Sequence, residues 1–301
     1  MADPVDRLLA AFSARRPMRT GSLVITLFGD VIVPRGGAVL LADLIRLLAA
    51  FGVNDSQVRT AVSRLAADGW LAPERLGRHS LYRLSESGRH RFAEATRRIY
   101  AGPPERWNGH WHVVVMPAAS PARDELRKDL GWLGFGSLAP GVMLHPCPDK
   151  DSLASVIDDL PPGERPLLVA GADALPAPPA TLQALVEQSW DLDALAAAYE
   201  RFIGDFAALD RALGDGFAPP PLPALLARLM LIHDYRRIVL RDPMLPRELM
   251  PRGWSGAAAY AAARRIYRHL VPASERWVDA ELHAGKRSLP APAAAFAARF
   301  R

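Results

Sequence analysis

The 301 residues exceed the ~150 of an average domain about twofold, so two or three domains with their own cores are expected. Half the residues are hydrophobic and 23% are charged, the balance of a globular chain rather than a disordered one. No apolar run approaches ~18 residues, the acidic opening MADPVDRLLAAFSARRP lacks a secretory core, and a single cysteine, Cys147, excludes a disulfide framework and a thiolate zinc cluster; the expectation is a soluble, cytoplasmic protein with net charge +5.

In chain order, SLVITLFGDVIV (22–33) is too long for most strands and reads as a helix despite its β-branched content. PRGGA (34–38) is a turn, and LLADLIRLLAAFG (40–52) repeats Leu40, Leu44, Leu47, Leu48 and Phe51 at helical spacing up to Gly52. The stretch VNDSQVRTAVSRLAADGWL (53–71) is more specific. Asn54 is an N-cap and Gln57, three residues on, completes a capping box. Val58, Val62 and Leu65 make the buried stripe, leaving Ser56, Arg59, Thr60, Ser63 and Arg64 largely on the other face, which is expected to be free of acids up to Asp68. WLAPERLGRHSLYRLS (70–85) reads as two strands around a tight loop at Leu76–Arg78, with Arg75, Arg78 and His79 near its tip, and Ser85 caps a helix to about Tyr100.

Helix, helix, polar-faced helix and basic hairpin is the order of a winged helix-turn-helix. A helix with short hydroxyls and Arg fits the ~12 Å major groove, and an Arg-bearing hairpin tip reaches phosphate or the minor groove. Any amphipathic helix has a solvated polar face, so that face alone decides nothing. Charge asymmetry adds to it: residues 1–110 hold 16 Arg and no Lys against 10 acids, net +6, whereas 111–301 carry −1. Arg supplies 34 of the 37 basic residues in a chain rich in Ala and Pro, so Arg richness by itself carries little weight.

GPPERWNG (102–109) is a linker, after which the period changes. WHVVVMP (111–117) is a buried strand, SPARDELRKDLGWLG (120–134) a helix, FGSLAPGVMLHP (135–146) two strands, DKDSLASVIDDL (149–160) a helix and RPLLVAG (165–171) a strand. This β-α-β-β-α-β order is ferredoxin-like. ALPAPPA (174–180) is a second linker, and the remainder is helical: 181–215 as two helices meeting near Trp190–Asp193, 224–243 stopped by Asp242-Pro243, a short helix and turn over 245–256, and 257–271. The expected architecture is therefore α+β and multidomain: a winged helix-turn-helix over 1–101, a ferredoxin-like domain over 109–173 and a helical C-terminal domain over 181–301.

Chemistry is sparse. No phosphate-binding loop, nucleophile elbow, zinc-protease helix or EF-hand loop is present. His110 and His112 share a strand face without a third ligand nearby, so no metal site is expected. Gly134-Phe-Gly136 is a helix cap rather than a dinucleotide fingerprint, and Cys147, between two prolines, is an incidental thiol. No catalytic residue and no cofactor are expected.

The chain resembles the PaaX family, transcriptional repressors of phenylacetic-acid catabolic operons. The resemblance rests on NDSQVRTAVSRLAADGWL with YRLSESG, on HWHVVVMP…RDELRKDLGWLGFGSLAPGVMLHP, and on SWDLDALAAAYERF with LIHDYRRIVLRDPMLPRELMPRGWSG. It implies a homodimer that leaves its operator when an aryl-acyl-CoA such as phenylacetyl-CoA binds. With it, the helix-face and hairpin reading above assigns Ser56, Arg59, Thr60, Ser63 and Arg64 to the major groove and Arg75, Arg78 and His79 to the wing. The helical third offers Arg236, Arg237, Arg264, Arg265 and Arg268 for phosphates and Trp190, Tyr199, Trp254, Tyr260 and Tyr267 for rings. Alternatives stay open: another acyl-CoA or aromatic pathway, a protein-interaction module, or an enzyme. The central part is also similar to the small ferredoxin-like nuclease of CRISPR adaptation, but its first strand ends Val115-Met116-Pro117 with no carboxylate before Asp124, which argues for a scaffold.

Overall fold

The computed structural model describes residues 3–15, 19–102, 106–116, 121–173 and 178–301; residues 103–105 and 174–177 of the two expected linkers lie outside them. The elements are α1 (Pro4–Ala14), α2 (Thr20–Leu27), β1 (Ala38–Leu40), α3 (Leu41–Ala49), α4 (Asp55–Ala67), β2 (Leu71–Leu76), β3 (His79–Leu84) and α5 (Glu86–Tyr100). There follow β4 (His110–Val115), α6 (Pro121–Trp132), β5 (Gly136–Ala139), β6 (Val142–His145), α7 (Lys150–Asp158), β7 (Leu167–Asp173) and α8 (Pro179–Ser189). The chain ends with α9 (Leu192–Gly214), α10 (Pro221–Val239), α11 (Ser255–Glu281), β8 (His283–Ala284) and β9 (Arg287–Ser288). Mixed helix and strand in more than one compact body is thus the observed class.

Two compact units divide the chain: residues 1–101, 201–236 and 259–301 form the first, and residues 102–200 with 237–258 form the second. The first contains a three-stranded antiparallel sheet in the order β1-β3-β2. Residues 38–40 do not join the helix expected over 40–52. Gly36 and Gly37, at φ +89° and +72°, turn the chain so that Ala38–Leu40 fill the open edge of β3 instead.

The expected helix over 22–33 is present with a change of pitch. After α2 the chain continues as a π-turn, Phe28–Ile32, and a 3₁₀ turn, Val33–Arg35. That turn accompanies a fully buried carboxylate, Asp30, which is 1% exposed. Its Oδ1 accepts from the Tyr100 and Tyr267 hydroxyls at 2.7 and 2.8 Å and from Arg299 Nη1 at 3.1 Å, while Oδ2 accepts from Arg228 Nε at 2.7 Å. Arg228, 0% exposed, also donates to Ser274 Oγ (3.1 Å) and Glu275 Oε1 (2.5 Å). Arg35 extends the network to Glu275 and, at 2.7 Å, to Asp279. Burial raises the pKa of both tyrosines, and neighbouring Arg299 at Tyr100 and Arg228 at Tyr267 pull it back, so both hydroxyls stay protonated donors.

The same network explains why α11 does not stop at residue 271. Pro272 lacks an N–H for the preceding turn, yet Glu275 and Asp279, on the next two turns, are held by Arg228 and Arg35. Beyond it, β8 and β9 form a small hairpin that the residue pattern did not signal.

The second unit holds a four-stranded antiparallel sheet in the order β5-β6-β4-β7, so the first and third strands of this segment are central and the second and fourth are at the edges. One side of its core is Val114, Met116, Leu126, Leu130, Phe135 and Met143 with Leu153 of α7. Trp111, Leu144, Val186, Leu192 and Leu245 form a second cluster, against which Trp107, Trp190 and Trp254 pack. Gly134, at φ +94°, ends α6 as a cap.

Candidate nucleic-acid interface

Helix α4 begins with the expected reciprocal cap: Asn54 Oδ1 accepts from Gln57 N and Gln57 Oε1 accepts from Asn54 N, both at 2.9 Å. Such a cap fixes the helix start, typically worth ~1 kcal/mol. Val58, Val62 and Leu65 are buried, and the helix touches α2, α3 and β2 through that stripe. Ser56, Arg59, Thr60, Ser63 and Arg64 are all exposed, on one helix. The face is not free of acid, however. Asp55 is the first residue of α4 and sits one turn before Arg59, which it engages through Nε (2.5 Å) and Nη2 (3.2 Å).

Strands β2 and β3 pair from Leu71↔Leu84 to Leu76↔His79, leaving Gly77 and Arg78 as a two-residue turn with Gly77 at φ +60°. Arg75, Arg78 and His79 are exposed at that end. Arg83, further down, is engaged by Glu74. Ser85 caps α5 by accepting from Gly88 N at 2.9 Å, and its hydroxyl donates to the Gly69 carbonyl, which ties the base of the hairpin to the end of α4.

Two basic residues escaped the sequence reading. The β8–β9 turn places Gly285 against the hairpin tip, where a Cβ would come within 2.7 Å of Leu76 Cδ2. Lys286 and Arg287 are the next two residues and are exposed. Their signal was the string GKRS, which lies some 200 residues from the hairpin and gives no local hint of its neighbour.

The residues singled out for an effector divide between the units: Arg236, Tyr260, Arg264 and Arg265 belong to the first, and Trp190, Arg237 and Trp254 to the second. Several have structural partners. Arg236 donates to Ser22 O, Ser22 Oγ and Thr26 Oγ1 at 2.7–2.8 Å, clamping α10 to α2. Arg265 pairs with Asp210 at 2.7 Å. Trp190 donates to the Gly134 carbonyl at 2.9 Å and its ring lies where a Gly136 Cβ would be, 2.5 Å away. Trp254 meets the ring of Tyr199, whose hydroxyl donates to Asp242 at 2.7 Å. Tyr267 belongs to the buried Asp30 network. Arg237 is exposed. Tyr260 and Arg264 stand one turn apart on α11, half-buried, with Arg268 a turn beyond. Burial raises the Tyr260 pKa, and Arg264 and Arg268 lower it, which places both guanidinium groups near the phenol.

Cys147 is partly buried, and burial pushes its thiol up to about 11. Among the described residues, no three His, Cys, Asp or Glu side chains gather as a metal set, and no helix is long and apolar enough to cross a membrane.

An exposed helix face of short hydroxyls and arginines with a basic hairpin in one unit, and a four-stranded antiparallel sheet with helices in another, define a multidomain protein of mixed helix and strand. Three family models match it in succession: "PaaX-like protein" over residues 19–88, "PaaX protein central Cas2-like domain" over 104–181, and "PaaX-like protein C-terminal domain" over 190–280. The chain belongs to the PaaX family, and its central domain is Cas2-like. It is 34% identical over 286 residues to the "Transcriptional repressor PaaX" of Escherichia coli (strain K12), covering 94% of this chain and 90% of that one. A solved structure, "Uncharacterized protein Rv0674 from Mycobacterium tuberculosis", is 26% identical with a TM-score of 0.48, covering 78% of this chain and 89% of that one.

Proposed function

We propose that this protein is a transcriptional repressor that binds operator DNA as a homodimer and leaves it when an aryl-acyl-CoA such as phenylacetyl-CoA binds. The operon it controls is of the aromatic-acid, phenylacetate type. The observation that carries the DNA reading is the exposure of Ser56, Arg59, Thr60, Ser63 and Arg64 together on α4, which is capped at its start and packed only along its other side. The segment of residues 1–101, with helices α1–α5 and the three-stranded sheet, is read as a winged helix, with α4 for the major groove and Arg75, Arg78 and His79 for the wing. Lys286 and Arg287, beside the hairpin tip, add phosphate contacts. The relationship to a protein named as a transcriptional repressor supports the same role.

The central segment 109–173, with its strand order β5-β6-β4-β7, is read as a ferredoxin-like scaffold for dimerisation. Its edge strand β7 leaves Leu167 65% exposed and Val169 41% exposed, apolar surface suited to a second copy of the chain. Leu167→Lys is expected to yield a monomer in light scattering and to weaken operator binding; an intact dimer would remove β7 from that role. For the effector, the helical segment 181–301 offers Tyr260 with Arg264 and Arg268, a ring near two guanidinium groups.

Fluorescence anisotropy with DNA from upstream of the protein's own coding region, titrated with phenylacetyl-CoA, phenylacetate and acetyl-CoA, tests the proposal. Release by phenylacetyl-CoA alone is expected, together with a steep fall of affinity with salt, near −0.9 in log–log slope per phosphate contact. Binding that ignores salt would point to a protein partner instead. Tight binding indifferent to all three compounds would retain the repressor and discard the effector.

A further inference from the structure

The second unit contains a cleft of about 390 Å³ that uses none of the residues assigned above to DNA or effector. Strand β4 contributes His110 and His112, which are two apart and so face the same side of the sheet. Lys150 and Ala154 of α7 stand across from them with Leu153, β7 adds Leu168 and Ala170, and Asn108 closes one end. The Asn108 side chain is fixed by accepting from His110 N at 3.0 Å.

The polarity of this cleft is uneven. His110, His112, Lys150 and Asn108 offer nitrogen donors, whereas Leu153, Ala154, Leu168 and Ala170 offer an apolar wall. None of the described lining residues is acidic, and Lys150 is the formal positive charge among them. His112 is only 7% exposed, and its buried Nδ1 has no hydrogen-bond partner among the described residues. An unsatisfied buried nitrogen is unfavourable, and here it stands on a residue that lines the cleft. Burial, followed by Lys150 and His110, pushes the His112 pKa down against the opposing pull of the His145 backbone, so the ring is neutral at pH 7 and is a hydrogen-bonding group rather than a second cation.

The volume falls in the lower part of the ~300–1,000 Å³ range of small-molecule sites. We infer that this cleft binds a small amphiphilic organic anion, with a carboxylate or phosphate head at Lys150 and the two imidazoles and an apolar body along Leu153, Ala154 and Leu168.

Titration calorimetry on the full chain tests this with 3-phenylpropionate and phenyl phosphate, which carry the two heads on one kind of body. 3-Phenylpropanol and inorganic phosphate lack the charge and the body respectively. Lys150→Met removes the cation and Ala154→Glu adds a like charge to the wall; both positions are exposed, and unchanged melting temperatures would confirm that both variants fold. Saturable binding of one or both organic anions is expected, weakened at least tenfold by each variant, with a shift of the His112 ring nitrogens in NMR. Whichever anion binds identifies the head group. The inference is overturned if neither organic anion binds at millimolar concentration, if the alcohol or inorganic phosphate binds as tightly as the organic anions, or if both variants bind like the parent.

Discussion

Arg228→Met is the sharpest test of how the first unit is held together. The substitution keeps most of the side-chain volume but removes four donated hydrogen bonds, to Asp30 Oδ2, the Asp30 carbonyl, Ser274 Oγ and Glu275 Oε1. Two of those acceptors keep other partners: the Asp30 carbonyl has Arg299 and the Ser274 hydroxyl still donates to Val271 O, while Glu275 loses the bond to Oε1 but keeps Arg35 on Oε2. Asp30 Oδ2 loses its close guanidinium at a fully buried site. Breaking a buried pair by removing one partner typically costs ~3–5 kcal/mol, and the surviving contacts put this case near 3. At ~2–4 °C per kcal/mol for a unit of this size, Tm falls by roughly 6–12 °C. Urea unfolding followed by circular dichroism, on the parent, Arg228→Met, Asp30→Asn and the double variant, separates the pair from its surroundings. The double variant is expected to be less destabilised than the two single costs added, by ~0.5–3 kcal/mol. A loss under about 1 kcal/mol in Arg228→Met, or strict additivity, would refute the view that this ion pair is a coupled element of the core.

Asp55→Asn should leave stability within about 1 kcal/mol, because both partners of the Arg59 pair are more than half exposed, and should tighten operator binding by up to about tenfold by removing a negative charge from the α4 face; a weaker complex in anisotropy would show that Asp55 positions Arg59 for DNA. Gly136→Ala drives a Cβ to within 2.5 Å of the Trp190 ring, and a cost of ~1–3 kcal/mol with an altered tryptophan emission is expected; a neutral change would mean that the ring moves freely. With its thiol pushed up to about 11, Cys147 should react with a disulfide reagent at pH 8 about a hundredfold more slowly than an unhindered thiol, and should recover in denaturant. Because the folded state favours the neutral thiol, its contribution to stability is full below pH about 9 and is lost as pH rises toward 11. Equal labelling rates in folded and unfolded protein would contradict that assignment.

What could be read from the sequence was what neighbours in the chain decide. The Asn54/Gln57 box, the Ser85 cap, the Gly77 turn and the break between α8 and α9 near Trp190 are each set within a few residues, and each is present. What escaped depends on distant partners. Arg228 lies 198 residues from Asp30, and Arg236 lies 214 from Ser22, so nothing local separates these arginines from free ones. The same applies to helix α11 running past Pro272, where ion pairs from elsewhere outweigh a local stop signal. Trp190 and Trp254 show a third limit, since a large ring has the same apolar signature whether it fills a core or lines a pocket. Asp55, by contrast, is legible locally, since it stands four residues before Arg59 on one helix face.

The distance between Asp30 and its partners also sets a schedule for biosynthesis. Arg299 follows Asp30 by 269 residues, which at ~5–20 residues per second is a wait of roughly 13–54 s on the ribosome. During that interval α4 and the basic hairpin are synthesised, while Asp30 waits first for Arg228, 198 residues on, and last for Arg299. The nascent N-terminal segment therefore cannot complete the Asp30 network ahead of the rest. A fragment cut after residue 101 would carry Asp30 and Tyr100 without Arg228, Tyr267 or Arg299, and would be frozen at that unfinished stage.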